Sequence, residues 1–237
     1  MRALILALPA LLAAPTMLSA QTPASCPLPG ALITPHDALP NENEPRRVVP
    51  IGGYTLAISW SPEFCRGKPA SYSFQCSGRA RFGFVLHGLW PDGKGKDWPQ
   101  YCAPTGIVSP RTIRGMMCAT PSEQLIQHEW AKHGTCMPGE TPESYFARSS
   151  AMYRQLRFPD MDRLSRDRSL TVGGFQRAFA AVNPGLRADM MRVTVTRAGW
   201  LDELWLCRDT RLRPVRCPAH QGGAAPQRPL RIQRGRA

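Results

Sequence analysis

The stretch MRVTVTRAGWLDELWLC, residues 191–207, decides the fold. Its β-branched and aromatic residues run in two short segments about a turn near Ala198-Gly199, so it reads as two strands, with a further short strand on to Cys217. Upstream, YTLAISW (54–60) reads as a buried strand ending at Ser61-Pro62, and ARFGFVLHGLW (80–90) as a second strand whose end delivers His87. Three helices lie between these pairs. TPSEQLIQHEWAKHG has Thr120 or Ser122 as cap and Gly134 as stop, TPESYFARSSAMYRQLR is capped by Thr141 with Pro142 at its first position, and GGFQRAFAAVNPG closes at Asn183-Pro184-Gly185. Early strands, central helices and late strands without regular βαβ alternation predict an α+β fold, with several helices packed on a mostly antiparallel central sheet.

The length of 237 residues suits one domain. MRALILALPALLAAPTMLSA (1–20) has one basic residue, Arg2, then a Pro-interrupted apolar run and a small-residue end, which reads as a secretory signal cut after Ala20 or Ala24. A lipid anchor on Cys26 is disfavoured by Pro23, and the run is too short to span a membrane. Residues 21–52 are rich in proline and polar residues and read as an extended arm. The folded domain is expected at 53–218, and the basic segment 219–237, with no apolar helical face, as a disordered tail. Between them, 91–108 carries three prolines and three glycines and reads as one irregular loop.

Eight cysteines in an exported chain predict disulfides, while the absence of any CxxC removes the commonest zinc and redox spacings. The formal charge of +13 favours polyanionic partners, although arginines in loops and tail account for much of it.

HEWAKHGTC, residues 128–136, resembles a damaged zinc motif. Metalloprotease helices place histidines four apart so that both reach one ion. Here they are five apart, about 140° around a helix axis, which suits no tetrahedral centre, so neither a metal nor another cofactor is expected. As a face the stretch makes more sense, because Glu129 at about 100°, Lys132 at about 40° and His133 at about 140° from His128 share one side. Two imidazoles, a carboxylate and an ammonium suit RNA phosphodiester cleavage. The substrate's 2′-OH is the nucleophile there, so the protein must remove one proton, supply another and stabilise charge on phosphorus.

FVLHGLWPD (84–92) and HEWAKHGTC (128–136) resemble the two active-site segments of the T2 ribonucleases, and LAISWSPEFC (56–65) is similar to that family's first core strand and cysteine. The resemblance runs from about Gly53 to Cys217 and implies a secreted, metal-independent endoribonuclease of low base specificity. It implies His87 as general acid, His133 as general base, His128 as a phosphate ligand, and Glu129 and Lys132 as stabilisers of the transition state. Trp90 and Asp92 match positions that hold a base, and Trp98 stands where another aromatic is often found. The implied partner is single-stranded RNA, bound by a monomer in the periplasm or outside the cell, with no membrane association. It also implies the pairs Cys102–Cys136, Cys207–Cys217 and Cys65–Cys76. Cys26 and Cys118 are left to pair by elimination. A catalytically silent secreted basic protein that binds RNA or a partner, and a metal-dependent hydrolase or nuclease, are the rival readings. The expected pH profile is a bell on the acid side of neutrality.

Overall fold

The computed structural model describes residues 26–235, so the expected signal segment lies outside the described residues. Strands β1 (Ile51–Trp60), β2 (Phe84–Gly93), β3 (Met191–Val195) and β4 (Leu201–Arg208) form one antiparallel sheet in the order β2-β1-β4-β3. The central strand β1 is covered on both faces, with Leu56, Ala57 and Ile58 fully buried, and so lacks strict alternation.

Helices α1 (Ser61–Phe64), α2 (Pro110–Met116), α3 (Glu123–Lys132), α4 (Pro142–Arg154), α5 (Met161–Arg166) and α6 (Val172–Ala181) follow the chain. Ser122, not Thr120, caps α3, its side chain accepting from Leu125 N, and Thr141 caps α4 through a reciprocal pair with Ser144. The apolar stripe of α4 meets β2 through two buried tyrosines: Tyr153 Oη donates to Phe84 O at 2.7 Å and Tyr145 Oη to Leu89 O at 3.1 Å. Those bonds clamp the backbone on either side of His87. Phe84 then packs between Trp60, Phe158 and Phe175.

Four disulfides join Cys26 to Cys118, Cys65 to Cys76, Cys102 to Cys136 and Cys207 to Cys217. Each contributes roughly 2–4 kcal/mol. Cys26–Cys118 ties the start of the arm to the segment before α3, and Cys102–Cys136 ties the loop after β2 to the segment after it.

Several expectations are corrected. β2 starts at Phe84 rather than at residue 80 and runs on through Pro91-Asp92-Gly93, so His87 is inside the strand and the loop begins later. The stretch before Cys217 forms only a bridge from Arg208 to Pro214. The segment 219–237 is not disordered over its described part, and the domain does not end at 218. Leu230 and Ile232 are buried in the main core, Leu230 N donates to Leu170 O at 2.9 Å, and Leu201 N donates to Arg231 O at 2.7 Å. PLRIQ alternates apolar and polar residues, which is a strand-like period of two that a search for a helical face passes over.

Candidate active site

The ladder between β1 and β2 slips at two places, between Ile51 and Gly53 and between Ala57 and Ile58, and the second makes the site. Ala57 pairs with Gly88 and Ile58 with Leu86, leaving His87 as an extra residue without a partner across β1. A β-bulge re-aims its side chain, and here the backbone of Leu86 turns to the chain before α3, donating to Ala119 O at 2.9 Å and accepting from Thr120 Oγ1 at 2.8 Å. The next residue is glycine, and the site uses its missing side chain. A Cβ on Gly88 would stand 1.8 Å from Glu129 Oε2, so the missing side chain is what lets α3 bring its carboxylate against β2.

On α3 the polar side faces inward. Glu129 and His133 are 1% and 6% exposed, so the stretch is the wall of a cleft and not a solvated surface. The helix ends at Lys132, and His133 is its C-cap residue, its amide still bonded to Glu129 O at 3.1 Å. Gly134 lies against the Trp130 ring, 2.2 Å from where a Cβ would be, so the turn that ends the helix packs directly on its own indole.

The two candidate proton-transfer histidines meet opposite surroundings. His87 Nδ1 is 2.5 Å from Glu203 Oε1 on β4, and its Nε2 is 3.5 Å from Glu129 Oε1. Glu203 is itself held by Ser59 Oγ at 2.7 Å and Trp205 Nε1 at 2.8 Å. Burial alone would depress the His87 imidazole, but the hydrogen bond to Glu203 and the charges of Glu129, Glu203 and Asp202 outweigh it and raise its pKa to about 9. His133 has no such partner. Its Nδ1 is buried without a hydrogen bond, and burial together with the charges of Lys132, His128 and His87 holds its pKa well below 6.5. Burial raises Glu129 to about 7 despite His87 and the Trp90 indole N–H at 2.8 Å. His128 is lowered by burial and by Lys132.

His87, Trp90, Asp92, Trp98, His128, Glu129, Lys132 and His133, the candidates from the sequence, all line one cleft of about 450 Å³. Trp90 is less free than a base platform would be: its ring stacks on His133 at 5.5 Å, meets His87 and Trp205 edge-on, and donates to Glu129. Asp92 Oδ2 accepts from Thr55 Oγ1 at 2.7 Å, Thr55 accepts from Gln221 Nε2 at 2.6 Å, and burial raises the Asp92 carboxyl. Trp98 is half exposed, with the Arg47 guanidinium 5.2 Å above its ring.

Sequence reasoning missed Glu203, Trp205, Glu44 and Gln221. Glu203 and Trp205 had a legible signal, since in LDELWLC they alternate with the buried Leu204 and Leu206 and so must share the opposite face of β4. Among the described residues, no group of three or more His, Cys, Asp or Glu side chains is placed to hold a metal ion.

An antiparallel α+β domain whose cleft gathers histidines, carboxylates and a lysine defines a class of protein built for acid–base chemistry, and comparison with known proteins narrows it. Residues 51–217 match the Ribonuclease T2 family, and the chain belongs to it. A "Probable ribonuclease" of Haemophilus influenzae is 32% identical over 181 residues, covering 71% of this chain and 61% of that protein. A "Ribonuclease" of Aeromonas hydrophila is 45% identical over 83 residues, 35% of this chain and 36% of the other. The chain thus spans less than two thirds of these relatives. Among solved structures, RNase NT in complex with 5′-AMP superposes with a TM-score of 0.62 at 19% identity, over 77% of this chain and 98% of that one, a likeness of fold. Trichomaglin, described as an S-like ribonuclease, superposes with a TM-score of 0.60 at 20% identity over 77% and 98%.

Proposed function

We propose that this protein is an exported, monomeric endoribonuclease that cleaves single-stranded RNA with low base specificity. The products are 2′,3′-cyclic phosphates, hydrolysed more slowly to 3′-phosphates. The observation that carries the reading is the pair of unlike imidazoles in one cleft, His87 between two carboxylates and His133 buried with no hydrogen-bond partner at Nδ1. A charged His87 is the acid that protonates the leaving 5′-oxygen through Nε2, since Nδ1 is taken by Glu203. A neutral His133 accepts the 2′-OH proton.

His128 and Lys132 bind the phosphate, and Lys132 with Glu129 stabilises the five-coordinate transition state. Trp90 and Asp92, with Trp98 at the rim, form the base site, where the Trp90 ring also brackets His133. DNA lacks the 2′-OH and is spared. Four disulfides support an oxidising, exported setting, periplasmic or extracellular.

Digestion of the sixteen dinucleoside phosphates with and without EDTA tests the proposal. Cyclic-phosphate products of all sixteen, unaffected by chelator, are expected. Activity abolished by EDTA, or cleavage of DNA, would refute it.

A further inference from the structure

The arm before β1 lies outside the family match, yet it delivers one side chain into the cleft. Glu44 Oε1 accepts from Lys132 Nζ at 2.5 Å, and its Oε2 accepts from Tyr101 Oη at 3.1 Å. This carboxylate is on a fastened segment. Asn41 and Glu44 exchange backbone bonds of 3.1 Å, and Asn41 Oδ1 caps the amides of Asn43 and Glu44 at 3.0 Å. Just after it, Arg47 and Gln100 exchange backbone bonds of 2.9 and 2.8 Å, while Gln100 Nε2 donates to Pro45 O at 2.6 Å. Gln100 is followed by Tyr101, whose amide donates to Lys132 O at 2.8 Å, and by Cys102 of the bridge to Cys136. The arm and α3 are therefore tied to the same strap, and Glu44 is presented to Lys132 at a fixed distance.

Lys132 is only 13% exposed at its side chain, and an ammonium is a compact charge with three donors. Its stem is already placed by α3, so orienting it needs no carboxylate. An anion on Nζ does something else: it neutralises the charge that a phosphate would seek. We infer that Glu44 is a resident competitor for the substrate phosphate at Lys132, so that the N-terminal arm sets how tightly RNA binds. The inference rests on the phosphate role given to Lys132 above. RNA must draw the ammonium away from Glu44, and two anions sharing one half-buried lysine repel. The hydrogen bond from Lys132 holds the Glu44 carboxyl below the usual carboxylate range, so mild acid leaves the competitor charged.

The test uses the full disulfide-bonded protein and Glu44→Gln, with Glu44→Asp as a second variant that draws the carboxylate back by one methylene. Calorimetry gives the Kd for uridine 3′-monophosphate, and steady-state cleavage of uridylyl-(3′,5′)-adenosine gives kcat and KM, both at fixed low salt. Glu44→Gln should bind the nucleotide about tenfold more tightly, with KM falling by a similar factor and kcat held within about threefold, as expected for one charged contact. Glu44→Asp should fall between the two. Unchanged or weaker nucleotide binding in a variant that melts like the wild type would overturn the inference, and a lowered kcat with unchanged KM would make Glu44 a positioning residue for Lys132 instead. Absence of RNA cleavage by the wild type would sink the functional reading, while the calorimetric comparison would still decide the competition at Lys132.

Discussion

The sheet side and the helix side of the cleft each present a histidine, and they treat it in opposite ways. On the sheet side, a bulge in β2 pushes His87 between Glu203 of β4 and Glu129 of α3, and the two carboxylates hold the imidazole charged. On the helix side, His133 caps α3 beneath the Trp90 ring, with an Nδ1 that finds no partner, and burial, aided by cationic neighbours, favours its neutral form. In the proposed mechanism one residue type supplies both the acid and the base, and the division is made by the neighbours rather than by the imidazoles.

The largest expected effect comes from deleting either member of the pair. His133→Ala and His87→Ala should each lower kcat by about 10²–10⁴-fold. Near-wild-type turnover in either variant would break the assignment. Next comes Glu203→Gln, which makes the sheet side resemble the helix side. Loss of that charge lowers the His87 pKa from about 9 toward its ordinary value, so the basic limb of the pH profile should move down and kcat at pH 8 should fall on the order of tenfold or more. The sign follows from the roles. Activity is lost as pH rises through the pKa of His87, which must be charged, and as it falls through that of His133, which must be neutral. With the first near 9 and the second well below 6.5, these two imidazoles predict a plateau across neutrality, and kcat measured against pH decides between that and the acid-side bell expected from the sequence.

Trp90→Phe leaves a ring on His133 but removes the N–H that serves Glu129, which should cost about 1–3 kcal/mol of stability in urea unfolding. An unchanged midpoint would mean that Glu129 finds another donor. The smallest effect is expected of Asp92→Asn, which should alter relative rates among dinucleoside phosphates by only about threefold to tenfold and leave both pH limbs in place, since it touches neither histidine.

Much of this cleft was legible in two short segments. The five-residue spacing in HEWAKHGTC fixed one broad polar face, and FVLHGLWPD fixed the strand that faces it. That the face is buried was not legible, because helical angles tell which side a residue is on and not what covers it. Nor was the bulge, which depends on the register against β1. Glu203 is 116 residues from His87 and reaches it only through the order β2-β1-β4, a long-range pairing that no local period reports. The alternation of Leu230 and Ile232 in the C-terminal segment is legible, but it is only two apolar residues long among arginines, too short a period to signal burial by itself. Glu44 lay in a segment with no period at all.

The most direct test of the central claim is a nitrogen-15 NMR titration of the imidazoles in the wild-type protein, assigned with His87→Ala and His133→Ala. His87 should keep both ring protons up to about pH 9 while His133 stays neutral to well below 6.5. Two histidines that titrate together near 6.5 would contradict the account.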